Sequence, residues 1–128
     1  ERKRVIVRRY DDVFSSLDGL AVIRHDLEGV FPFNYVVRVL GGRRDSLMIH
    51  LKECGIGTTI QFIPNHRQPV FAEFASPLPV TERLYEEIVT LPLYYEMTDA
   101  DVDTVIDEVA AFLRNPAAAA RQPVLREG

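Results

Sequence analysis

The chain has 128 residues, with 15 basic and 19 acidic side chains and a formal net charge of −4 at neutral pH. That length fits one domain with a buried core, and 47% hydrophobic against 27% charged residues is the composition of a globular protein. Apolar runs of only a few residues exclude a membrane span, and an acidic balance without a basic block excludes a dedicated nucleic-acid binder.

The spacing predicts a first amphipathic helix over Arg2 to Leu17, with Ile6, Tyr10, Val13, Phe14 and Leu17 on one face. Asp18-Gly19 stops it. The chain begins inside this helix with no cap before it, so a fragment of a longer protein is expected. After an irregular stretch, Phe33 to Leu40 reads as a strand. Phe33, Tyr35, Val37 and Val39 share one face, and Asn34, Val36, Arg38 and Leu40 the other.

A second helix is predicted over Arg44 to Cys54, burying Leu47, Met48, Leu51 and Cys54 and ending at Gly55. A strand over Thr58 to Ile63 follows, then a loop between Pro64 and Pro69, then a short helical turn near Val70 to Phe74. Thr81 to Val89 has the pattern of a third helix, with Leu84, Tyr85 and Ile88 inward. Thr90 to Tyr94 is a short extended piece that Pro92 confines to a sheet edge or a strand end.

The last helix begins at Thr98, an N-cap with Asp101 three residues on, and carries the stripe Val102, Val105, Ile106, Val109, Phe112 and Leu113. The expected domain covers 1–114, and 115–128 reads as a flexible tail. The fold class is α+β, a small mixed or antiparallel sheet covered by helices. Within it, Phe33 to Ile63 is a possible split β-α-β unit.

No phosphate loop, zinc spacing or nucleophile elbow is present, so no catalytic, cofactor-binding or metal-ligating residue is assigned. Gly55-Ile56-Gly57 follows a helix rather than a strand and reads as a turn. His25 reads as a loop residue and His50 as a helix-edge residue. Cys54 reads as packing, and as a single cysteine it favours a reducing, cytoplasmic compartment. The acidic group Asp99, Asp101, Asp103, Asp107 and Glu108 reads as capping and a solvated helix face, and Tyr94-Tyr95 as edge-strand packing. The segment Ile63-Pro64-Asn65-His66-Arg67-Gln68-Pro69 stands apart, because two prolines hold a crowd of polar side chains just past a strand.

Five ordered stretches carry a resemblance. They are Arg43-Arg44-Asp45-Ser46-Leu47, Gly55-Ile56-Gly57-Thr58, Ile63 to Pro69, Leu78-Pro79-Val80-Thr81-Glu82-Arg83-Leu84, and Leu91-Pro92-Leu93-Tyr94 through Met97-Thr98. Together they resemble the C-terminal part of the DegT/StrS family of pyridoxal-phosphate-dependent sugar-nucleotide aminotransferases. The resemblance implies the small domain of a type I aminotransferase fold, packed against a large cofactor-binding domain in a homodimer. It implies transfer of an amino group from glutamate to a nucleotide-linked keto-sugar, in cell-envelope polysaccharide or antibiotic-sugar biosynthesis.

The same resemblance places Asn65, His66 and Gln68 near the sugar nucleotide, with Gln61 as a further substrate contact; Arg38 reads equally as a contact to a substrate carboxylate or as the partner of an acid on its sheet face. Thr59-Ile60-Gln61-Phe62 replaces the family's usual Gly-x-His-Tyr, and Phe33 stands where many members carry histidine. Pyridoxal phosphate needs an anchoring lysine, a carboxylate for its ring nitrogen and a phosphate cradle. The chain has two lysines among its 15 basic residues, Lys3 and Lys52, and neither lies in a stretch resembling the family's lysine motif. The anchor is therefore expected upstream, and the isolated chain is expected to be inactive. Two alternatives remain open: a sugar-nucleotide dehydratase on the same fold, and a free-standing binding module without catalysis.

Overall fold

The computed structural model describes residues 1–115; the predicted tail beyond Asn115 lies outside the described residues. Helix α1 (Arg2–Phe14) leads into strand β1 (Leu20–Val22), then β2 (Tyr35–Val39) and α2 (Arg44–Glu53). Two short 3-10 segments, Asn65–Arg67 and Pro69–Phe74, precede α3 (Pro79–Glu87), β3 (Ile88–Leu91) and α4 (Asp99–Arg114). The three strands form an antiparallel sheet in the order β1-β2-β3. Leu20 lies opposite Val39 on one side, and Tyr35 opposite Leu91 on the other.

Strand β2 alternates as its sequence dictates. Tyr35, Val37 and Val39 are buried, while Val36 and Arg38 are only half-buried. Two cross-strand pairs on the buried face, Tyr35 with Leu91 and Val37 with Val89, supply its inner rows. Ile6, Val7, Tyr10 and Phe14 of α1 and Leu47 and Leu51 of α2 join the same core. From α4, the whole predicted stripe Val102, Val105, Ile106, Val109, Phe112 and Leu113 is buried there too. At about 1.5–3 kcal/mol for each fully buried large aliphatic or aromatic side chain, this cluster dominates the stability of the domain.

The two buried phenols of the core are both hydrogen-bonded. The Tyr35 hydroxyl donates to Asp11 Oδ1 at 2.7 Å, and the Tyr10 hydroxyl donates to the carbonyl of Pro92 at 2.9 Å. Burial pushes both phenols well above the ordinary tyrosine range, and the neighbouring Asp11 carboxylate adds to the effect at Tyr35. At the start of α4 the predicted capping box is complete. The Asp101 amide donates to Thr98 Oγ1 at 3.1 Å and the Thr98 amide to Asp101 Oδ2 at 2.8 Å. The acidic face of α4 is also engaged by α1: Arg2 and Arg9 pair with Asp99, and Arg9 with Asp103.

Several expectations are corrected. The strand expected over Thr58 to Ile63 is absent; one bridge, Thr59 to Thr90, is all the pairing it makes. The split β-α-β unit therefore does not form, and β2 is paired by β1 and β3 instead. A single bridge leaves most backbone groups of 58–63 without ladder partners, because β3 is only four residues long. Strand β1 falls in the stretch read as irregular; three residues are too few to show an alternation.

Helix α1 ends at Phe14, one turn before the predicted Leu17, with Gly19 at φ +85° turning the chain into β1. Helix α3 starts at Pro79, where the missing amide hydrogen costs nothing, and the predicted helical residues Ile88 and Val89 belong to β3. Phe33, placed on the buried face by alternation, lies outside the strand and is 81% exposed. Cys54, expected to pack in the core, is exposed at the C-cap of α2. Among the described residues no helix is long and apolar enough to cross a membrane.

Candidate functional site

The loop singled out by its prolines folds as two consecutive 3-10 segments, with Pro64 capping the first and Pro69 opening the second. Two of its polar side chains, His66 and Arg67, meet one carboxylate, that of Glu82. His66 Nε2 lies 3.3 Å from Glu82 Oε1, with the imidazole only 10% exposed. Arg67 Nε approaches the same carboxylate at 3.6 Å, and its guanidinium lies 5.4 Å over the Tyr85 ring. Gln68 folds back to donate from Nε2 to the carbonyl of Ile63 at 3.3 Å. Asn65 is exposed. Upstream, Gln61 Oε1 accepts from Asn34 Nδ2 at 3.2 Å, tying the loop to the residue just before β2.

Arg38 sits elsewhere. Its Nε and Nη2 bind Glu87 Oε2 at 2.8 and 2.7 Å, a fork closed on the last residue of α3. Asn34 and Arg38 are four residues apart along an extended chain, about 13 Å. The structure thus gathers Gln61, Asn65, His66 and Gln68 in one loop and places Arg38 at the far end of the same sheet face. Helix α3 links the two, since Glu82 near its start holds His66 and Glu87 at its end holds Arg38.

Sequence reasoning missed Asn34, Glu82 and Tyr85 as partners of this loop. Their contacts span 16 to 27 positions along the chain, or 18 for Arg67 over Tyr85, so no local spacing announces them. A second polar cluster, also missed, joins His50 and Cys54 of α2 to Glu108 of α4. The spacing of His50 and Cys54, four residues apart on one helix, was its available signal.

Around the loop the surface is apolar. Phe62, Ile63, Val70, Phe71 and Phe74 are all exposed, Phe62 at 76% and Phe74 at 75%. These five large apolar side chains flank the polar loop on both sides in sequence.

Neither lysine stands where pyridoxal phosphate could be anchored. Lys3 Nζ lies against the exposed rings of Phe31 and Phe33, 5.8 and 6.0 Å from their centroids. Lys52 is exposed on α2. No carboxylate and set of backbone amides converges with either among the described contacts, so residues 1–115 do not fit this cofactor by themselves.

The chain is 36% identical to the aminotransferase TlmJ from Streptoalloteichus hindustanus, with a TM-score of 0.81 over 88% of this chain and 31% of that one. DesV from S. venezuelae, solved in complex with a ketimine intermediate, is 25% identical with a TM-score of 0.75, over 95% of this chain and 32% of that one. An uncharacterized protein of Methanocaldococcus jannaschii is 30% identical over 119 residues, 85% of this chain and 31% of its own length. The chain therefore spans about a third of the length of the relatives it matches. Residues 1–110 match the model of the DegT/DnrJ/EryC1/StrS aminotransferase family, and the chain belongs to that family.

Proposed function

We propose that this chain is the small-domain part of a pyridoxal-phosphate-dependent aminotransferase that moves an amino group from glutamate to a nucleotide-linked keto-sugar. The parent works in the cytoplasm as a homodimer. The observation that carries the reading is the likeness to the aminotransferase TlmJ, at 36% identity across 88% of the chain. The cofactor supplies the electron sink for amino transfer, and its lysine anchor belongs to polypeptide outside these residues. This chain alone is accordingly inactive.

The chain's own contribution is to recognise substrate. Asn65, His66, Gln68 and Gln61 present amide and imidazole groups able to hydrogen-bond sugar hydroxyls and phosphate oxygens. Arg38 meets an anionic group of the substrate only by sharing its guanidinium with Glu87. The exposed run Phe62, Ile63, Val70, Phe71 and Phe74 supports docking of the large cofactor-binding domain over the loop and speaks against a free-standing module.

The test is release of 2-oxoglutarate from glutamate by the full-length protein supplied with nucleotide-linked keto-sugars. Stoichiometric appearance of an amino-sugar nucleotide is expected. Sugar dehydration without amino transfer, or transamination by the 128-residue chain alone, would overturn the reading.

A further inference from the structure

Helices α2 and α4 pack side by side, and at their contact three metal-ligating side chains converge on the surface. His50 Nε2 lies 2.9 Å from Glu108 Oε2, Cys54 Sγ lies 3.3 Å from the same oxygen, and Cys54 Sγ lies 3.8 Å from His50 Nε2. All three donor atoms fall within 4.8 Å of one another. A tetrahedral zinc ion with ordinary Zn–S, Zn–N and Zn–O bonds sets its ligand atoms about 3.4–3.6 Å apart. The three observed separations bracket that range, so an ion fits the triangle after side-chain shifts of about half an ångström.

The scaffold favours such a site. His50 and Cys54, four residues apart, project from one face of α2, and Glu108 enters from a second helix, which gives the triangle a fixed base. The His50 ring packs against Phe112, centroids 5.5 Å apart, and this contact restrains the imidazole. Cys54 also borders an open surface cleft of about 510 Å³ with Gly55, Gly57, Asp101 and Thr104, so solvent reaches the thiol.

The chemistry of the set narrows the occupant. One thiolate, one imidazole and one carboxylate form a borderline-soft donor set that suits zinc and disfavours calcium or magnesium, which take oxygen shells. A nucleophilic cysteine is a poorer reading. Glu108 occupies the same His50 nitrogen that would have to take the thiol proton. Desolvation, together with the hydrogen-bonded Glu108 carboxylate, holds the thiol above its ordinary range, the opposite of activation.

We propose that His50, Cys54 and Glu108 form a zinc-binding site, open to solvent, that clamps α2 to α4. On binding, Cys54 coordinates as the thiolate and its proton passes to solvent. The site is independent of the aminotransferase reading, because it shares none of the residues used there.

The experiment titrates Zn²⁺ into metal-free full-length protein against a chromophoric chelator, with Co²⁺ as the spectroscopic probe. One site per chain is expected that is lost on Cys54→Ser, together with a thiolate-to-cobalt charge-transfer band absent from that variant. His50→Gln and Glu108→Gln should each weaken zinc binding by at least about tenfold. Cys54 is exposed, so Cys54→Ser keeps the fold and decides the matter even if a helix-contact variant does not fold. Identical zinc stoichiometry and cobalt spectra for wild type and Cys54→Ser would overturn the proposal and leave the cluster as a hydrogen-bonded link between two helices.

Discussion

Arg38 of β2 and Glu87 at the end of α3 are locked together by two contacts to one carboxylate oxygen, at 2.7 and 2.8 Å, with the Glu87 side chain only 17% exposed. This pair ties the open face of the sheet to the helix that covers it. Arg38→Met should therefore cost about 1–3 kcal/mol by leaving Glu87 partly buried without its partner. Denaturant unfolding measures that loss. If Arg38 also meets substrate, the full-length Arg38→Met variant shows a raised KM, whereas Glu87→Gln, which keeps the guanidinium, leaves KM near wild type.

Glu82 anchors the loop through His66 and Arg67. Glu82→Ala removes both attachments at once while leaving the exposed start of α3 intact. Amide hydrogen exchange across residues 65–68 should quicken, with little change in the core strands. Global stability should fall by no more than about 1 kcal/mol, since the Arg67 contact is a surface one. Unchanged exchange in the loop would show that the prolines alone hold it.

The Thr98–Asp101 capping box makes a pH prediction with a definite sign. Hydrogen bonds from the Thr98 backbone and side chain hold the Asp101 carboxyl below its ordinary range. Its contribution is therefore fully present above the unfolded value, about pH 4, and is lost as pH falls through the lower folded value. Acid unfolding of wild type should show this component, and Asp101→Asn should lack it. Thr98→Ala removes the other half of the box and should cost about 1 kcal/mol at neutral pH, read from thermal melts.

Arg44 is buried at the start of α2, where Nη1 donates to the carbonyls of Tyr85 and Ile88 at 2.7 and 2.8 Å. These carbonyls lie where α3 gives way to β3, and Arg44 supplies their donor. Arg44→Met should destabilise by about 2–4 kcal/mol, because two oriented carbonyls lose their partner in a buried place. Arg44→Lys should recover only part of this, since an ammonium lacks the planar fork. Equilibrium unfolding of the two variants distinguishes these outcomes.

Elements whose pattern is local were determined by the sequence alone. Helix α4 is the clearest case: its cap, its acidic first turn and its six-residue stripe all sit within one stretch of chain, and each reappears in the structure. The alternation of Tyr35, Val37 and Val39 likewise dictated which face of β2 is buried. The Pro64–Pro69 loop announced itself through composition, and its helical turns follow from proline's fixed φ. Tertiary structure decided everything that depends on a partner distant in the chain. Strand β1 exists because β2 supplies its hydrogen bonds, and Thr58 to Ile63 is not a strand because β3 offers it a single bridge. Cys54, the C-cap of α2, is exposed and lies beside Glu108, 54 positions away. Backbone propensity and side-chain periodicity are properties of neighbours in sequence; pairing, burial and the meeting of ligand atoms are properties of neighbours in space.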